Sequence, residues 1–80
     1  MIPPRIKSVK IIDNFYLEIT YVNGEIRKYD MKNDLKLKCY QKLNDINYFK
    51  LAKSVETTIE WPDGEDIDSN RLYENSIKIN

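Results

Sequence analysis

The stretch "FYLEITYVNGEIRKYDM", Phe15 to Met31, limits what this chain can fold into more than any other part of it. Its first half alternates strictly. Phe15, Leu17, Ile19 and Tyr21 fall on one side of an extended backbone and Tyr16, Glu18 and Thr20 on the other, the period of a half-buried strand. Asn23-Gly24 then marks a hairpin. A two-residue loop would set Ile19 against Lys28 and Leu17 against Asp30, which puts charges on the apolar side. Gly24 in the left-handed position of a type I turn with a bulge gives the pairs Tyr21-Glu25, Ile19-Arg27, Leu17-Tyr29 and Phe15-Met31 instead. That register keeps Tyr29 and Met31 with the apolar face, so a bulged hairpin is expected.

The flanking segments build outward from it. "RIKSVKII", rich in β-branched residues, reads as a strand joined to the hairpin through Asp13-Asn14. The lysine-rich "NDLKLKCYQKL", residues 33–43, fits neither period and reads as loop or distorted turn. Asn44 or Asp45 can cap a short helix in "INYFKLAK", with Ile46, Phe49 and Leu51 or Ala52 facing the sheet. "VETTIEW" alternates again as a fourth strand, and Pro62-Asp63-Gly64 turns it back into "EDI". Asp68 can accept from the first turn of a last helix, "SNRLYENS", anchored by Leu72 and Tyr73, after which "SIKIN" frays or adds an edge strand. The expected fold is one α+β domain over residues 1–80. It has a small, mainly antiparallel sheet, made of three N-terminal strands plus a C-terminal hairpin, and two short helices.

Composition removes several functions. Eighty residues make one domain that buries about 60% of the surface its unfolded chain exposes, so little can be spared for unsupported catalytic machinery. With no histidine, Ser-His and Cys-His nucleophile pairs and His-containing zinc sites are excluded within one chain. The single Cys39 forms no intrachain disulfide and is expected to pack as a small hydrophobe. Gly24 and Gly64 stand too far apart for a glycine-rich phosphate loop. Neither a cofactor nor catalysis is therefore expected. No apolar run approaches the roughly 18 residues that span a bilayer, and "MIPPRIKS" lacks a signal peptide's apolar core, so a soluble cytoplasmic protein without membrane contact is expected. The formal charge is zero but unevenly spread: 11 Lys/Arg against 6 Asp/Glu up to Lys53, then 2 against 7. That asymmetry suits internal complementarity, a two-fold homodimer contact, or a basic face for an anionic partner.

The densest candidate chemistry lies in "EWPDGEDIDSNRLYE", Glu60 to Glu74. Asp66-x-Asp68-x-Asn70 begins like a calcium loop, but the loop glycine would fall at Arg71 and the bidentate glutamate at Ile77, so the match ends after three ligands. Each acid also has a structural use, Asp63 in the turn, Asp68 as a cap, and Glu60 and Glu65 on a solvated strand face. Trp61 and Tyr73 are of the types that supply interface hot spots, and equally of the types that fill a small core. Lys28, Lys32, Lys36, Lys38 and Lys42, interleaved with Tyr29 and Tyr40, could follow a nucleic-acid backbone while a ring stacks on a base, or form a solvated lysine face.

Taken together, "PPRIKSVKIIDNFYLEITYVNGEIRKYDM", "LND" with Phe49, and "IEWPDGEDIDSNRLYE" closely resemble the small bacterial family catalogued as domain of unknown function 2442. The most specific residues are Trp61, Pro62, Asp63, Gly64, Asp66, Leu72, Tyr73 and Glu74, supported by Gly24, Asp30, Leu43, Asp45 and Phe49; the lysine-rich "KLKCYQ" matches least. The resemblance implies a compact α+β module with a mainly antiparallel sheet, sometimes fused to a DNA-binding helical domain for which this pattern leaves no room. It carries over no catalytic residue. It also implies a gene neighbour encoding another small protein, in an arrangement like a toxin-antitoxin pair. The leading expectation is thus a protein-interaction module, the antitoxin-like member of such a pair, which masks a basic surface of a protein partner with Glu60, Asp63, Glu65 and Asp66 around Trp61, with Tyr73 alongside. The alternatives are a nucleic-acid-binding accessory domain using the lysine-rich middle and a divalent-metal enzyme built on Asp63, Asp66 and Asp68.

Overall fold

The computed structural model describes residues 2–80. Along the chain run β1 (Ile6–Ile12), β2 (Tyr16–Tyr21), β3 (Ile26–Asp30), two 3-10 segments (Asp34–Lys36 and Lys38–Asn44), α1 (Ile46–Phe49), β4 (Lys53–Val55), β5 (Thr58–Glu60), α2 (Ser69–Asn75) and β6 (Ile77–Lys78). The main sheet is antiparallel in the order β1-β2-β3-β6, and β4 and β5 form a separate hairpin. The fold is therefore α+β, as the alternation and turn chemistry require.

The bulged hairpin holds in the expected register. Leu17 faces Tyr29 and Ile19 faces Arg27. The Tyr21 N–H donates to the Glu25 carbonyl at 2.9 Å and the Met31 N–H to the Phe15 carbonyl at 3.0 Å, with Gly24 at φ +95. One face of this sheet makes the core. Leu17, Ile19, Tyr21, Tyr29 and Met31 are buried under Leu35, Tyr40, Leu43, Phe49, Ile59, Trp61, Ile67 and Leu72. Each such aliphatic or aromatic side chain stabilises by about 1.5–3 kcal/mol relative to exposure. Phe49 joins the halves, edge-on to Phe15 at 5.1 Å and tilted against Trp61 at 5.6 Å. On the opposite face lie Ser8, Lys10, Ile12, Tyr16, Glu18, Thr20, Ile26, Lys28, Asp30 and Ile77, and none of these is buried.

Several segments depart from the expectations. Residues 33–43 are not loop: Tyr40 and Leu43, three apart, fall on one side of a 3-10 turn and both are buried, with a kink at Tyr40 (φ −111, ψ 19) between two helical pieces. Asp45 caps α1 by accepting from the Asn47 N–H at 3.0 Å, but the helix stops at Phe49 because the next bonds, Leu51 N–H to Tyr48 and Ala52 N–H to Phe49, are of the tighter type. Ala52 turns toward the core and Leu51 is exposed. "VETTIEW" is not one strand. It reverses at Glu56-Thr57, with Glu56 at φ +51, and the Glu56 carbonyl accepts from the Ile6 N–H at 2.7 Å. The hairpin is thus β4 with β5, and the return at Pro62-Asp63-Gly64 is reduced to one bridge, Glu60 to Asp66. Cys39 is exposed rather than packed.

Candidate functional site

The acidic turn is fastened from within. The Trp61 N–H donates to the Glu65 carbonyl at 2.8 Å and the Gly64 N–H to the Trp61 carbonyl at 2.9 Å, with Gly64 at φ +98. Lys42 pairs with Asp63. The Tyr48 hydroxyl donates to Glu65 Oε1 at 2.7 Å and accepts from the Asp63 N–H at 2.9 Å; burial, and then the Glu65 carboxylate, push that hydroxyl up to about 12. The Tyr40 hydroxyl donates to the Asp66 carbonyl at 2.7 Å. Asp63, Glu65 and Asp66 line an open groove of about 510 Å³ with Cys39, Tyr40 and Gly64, while Glu60 lies outside its lining, 4.0 Å from Lys53. Among the described residues the Asp66 carboxylate alone of these four acids makes no hydrogen bond or ion pair.

Two residues expected at this site stand elsewhere. Trp61 is 1% exposed and its Nε1–H donates to the Phe49 carbonyl at 2.9 Å. It anchors the turn from beneath and shows no ring to a partner, because the turn could not close over an empty core. Tyr73 is half-buried at the other hairpin, where its hydroxyl donates to Glu25 at 2.5 Å and its ring lies under the Arg27 guanidinium at 4.4 Å. Asp68 does cap α2, accepting from the Arg71 N–H at 3.1 Å. Among the described residues no three His, Cys, Asp or Glu side chains are grouped so as to hold a metal ion. The rings proposed to stack on bases are also committed. Tyr29 is buried with its hydroxyl on Asp34 at 2.5 Å, and Tyr40 is buried against the acidic turn. Of the five lysines, Lys28 and Lys32 lie over Tyr16, 4.3 and 4.5 Å from its ring centre, and Lys42 is at Asp63.

A second polar cleft, about 300 Å³, lies beside α2 and is lined by Tyr29, Asp30, Asn33, Asp34, Arg71 and Asn75. The Asp34 carboxylate at its base is buried, and it takes both the Tyr29 hydroxyl and the Arg71 guanidinium. Burial, and then this carboxylate, raise the Tyr29 hydroxyl well above the ordinary phenol range. Tyr29 on β3 and Arg71 on α2 thus meet on one carboxylate, which ties the helix to the sheet.

At the corner of the sheet where β6 joins β3, "SIKIN" adds the edge strand that was one of its two expected outcomes. Arg27 pairs with Lys78 and Lys28 with Ile77, and the Ile79 N–H donates to the Ile26 carbonyl at 2.8 Å. Ile77 and Ile79 therefore share the open face with Ile26 and, one residue beyond Tyr21, with Val22. Ile77 is 70% exposed, Val22 61% and Ile79 49%. The corner is rigidly built. Arg27 donates from Nε to Ser76 Oγ at 2.7 Å, from Nη2 to the Ser76 carbonyl at 2.9 Å and from Nη1 to Glu25 at 2.7 Å. The Tyr73 hydroxyl, with help from Asn23 and Arg27, holds the Glu25 carboxyl down at about 2. The Asn80 side chain continues the ladder past β6, accepting from the Ile26 N–H at 3.0 Å and donating to the Gly24 carbonyl at 2.8 Å. The alternating Ile77 and Ile79 of "SIKIN" were the available signal for this patch, but which face they join depends on pairing with a strand some fifty residues away.

The other edge is blunted. β1 shifts register between Ile6 and Ser8, follows Pro3-Pro4, and has its Ile6 N–H covered by Glu56.

Comparison with known proteins places residues 6–78 within a family described as "Protein of unknown function (DUF2442)". No curated protein and no solved structure matches the chain.

Proposed function

The chain belongs to that family of proteins of unknown function, and from its own surface we propose that it is a protein-interaction module whose contact face is the sheet corner at Val22, Ile26, Ile77 and Ile79. The observation that carries this reading is the clustering of those side chains. Aliphatic residues scattered singly over a surface need no explanation, but several adjoining on one rigid face, with Lys28 and Asn23 at the rim, have the make-up of a docking patch. In the same reading the acidic turn plays a lesser part, steering a basic partner through Asp66, which has no ion pair among the described residues, and the chain acts as the neutralising member of a two-protein pair.

Co-expression with the product of the reading frame beside its gene tests this. The two chains are expected to co-elute at moderate salt, and Ile77→Asp is expected to release the partner without changing the melting temperature, because the side chain is exposed. A wild-type chain that elutes alone, or an Ile77→Asp chain that co-elutes unchanged, overturns the proposal.

A further inference from the structure

Resting on that interaction reading, we infer that the partner docks by adding an extended segment to the free edge of β6, with an acidic residue set opposite Lys78 and apolar residues on either side of it. The backbone supplies the first half of the inference. Because the Ile79 N–H is spent on Ile26, the alternation of an antiparallel ladder turns the N–H and C=O of Lys78 away from β3 and into solvent. Of the two sheet edges only this one lacks a bulge, a proline or a covering turn. Strand addition takes affinity from such main-chain groups and specificity from the alternate side chains.

The side chains supply the second half. A residue directly opposite Lys78 shares its face, on which the neighbour across β3 is Arg27, another cation. Arg27 is satisfied by Glu25 and Ser76, whereas Lys78, among the described residues, has no ion pair. An acid on the open flank fills that place. The residues before and after it fall on the other face, beside Ile77 and Ile79, and so should be apolar. A second copy of this chain fits less well. The antiparallel register centred on Lys78 sets Lys78 against Lys78, and the register one pair earlier needs the Ser76 carbonyl, which Arg27 already holds.

The test uses the whole chain, 15N-labelled, titrated with end-blocked peptides Val-Glu-Val-Glu-Val and Val-Lys-Val-Lys-Val. The acidic peptide is expected to move the amides of Ile77, Lys78, Ile79 and Ile26 and to bind about tenfold or more tighter than the basic one, a difference of about 1.4 kcal/mol. Lys78→Glu should reverse the preference. Lys78→Pro should abolish binding while leaving the Ile79 amide bonded to β3, since it deletes only an outward donor. No shift at millimolar peptide, equal binding of the two peptides, largest shifts on another surface, or unchanged binding by Lys78→Pro overturns the inference, as does sedimentation showing a dimer that Lys78→Pro dissociates. If Ile77→Asp releases the co-expressed partner and Lys78→Pro does not, the contact face stands and the added strand falls.

Discussion

At Gly24 the backbone stands at φ +95 with nothing within 4 Å of where a Cβ would sit, so the demand for glycine is purely conformational. Gly24→Val should destabilise by roughly 1–3 kcal/mol in denaturant titrations, because a β-branched residue resists that region even with open space around it; a loss below about 0.5 kcal/mol would contradict the bulged turn. Asp66 and Asp68, two residues apart, divide in the same way between conformation and surface. Asp68 accepts from the Arg71 N–H, so Asp68→Ala should cost about 1 kcal/mol and Asp68→Asn much less. The exposed Asp66 carboxylate bonds to nothing among the described residues, and Asp66→Asn should melt like the wild type. The turn, the cap and the buried alternation were legible in the sequence because each depends on neighbours a few positions away. Trp61 was not, since the same ring suits a core and an interface and only the path of the chain decides. Trp61→Ala should cost about 3–5 kcal/mol.

Among elements, the β1-β2-β3 meander follows from period-two alternation, while the reversal between β4 and β5 carries no glycine, proline or Asn-Gly signal and is tied to β1 by the bond from Ile6 to Glu56. The 3-10 segments leave no clear mark in the sequence because a three-residue period is too short-lived to register in an eleven-residue stretch. One titratable group couples elements distant in sequence: Glu25, beside β3, receives the hydroxyl of Tyr73 on α2. Its carboxyl, ordinarily at 4.5, is held at about 2 in the fold, so over the interval between these values the unfolded chain binds more protons than the folded one. The stability it contributes is complete above about pH 4.5 and disappears as pH falls through about 2. Glu25→Gln should therefore melt below the wild type at pH 6, and the gap should close progressively on acidification. A gap independent of pH from 6 to 2 would mean that the carboxylate is not what joins hairpin to helix.

For the molecule as a whole, the basic first part and the acidic second part of the sequence meet at two ion pairs, Lys42 with Asp63 and Lys53 with Glu60, while Arg71 closes on Asp34 in the reverse sense and the pairs at Lys10, Arg27 and Lys28 stay within the first part. The candidate contact face could not be found from charge or motif, because an exposed isoleucine is unremarkable until topology gathers it with apolar neighbours from β3 and from the chain just past β2 and β6. The joining of β6 to β3 also bears on how the chain is made. Synthesis at about 5–20 residues per second puts roughly 2–9 s between the emergence of Asp30 and that of Ile77. Throughout that interval the nascent meander has a bare second margin at Ile26 and Lys28, so ribosome-bound chains halted before Ser76 should cling to chaperones and to one another in a way that chains carrying Ile77 to Asn80 do not.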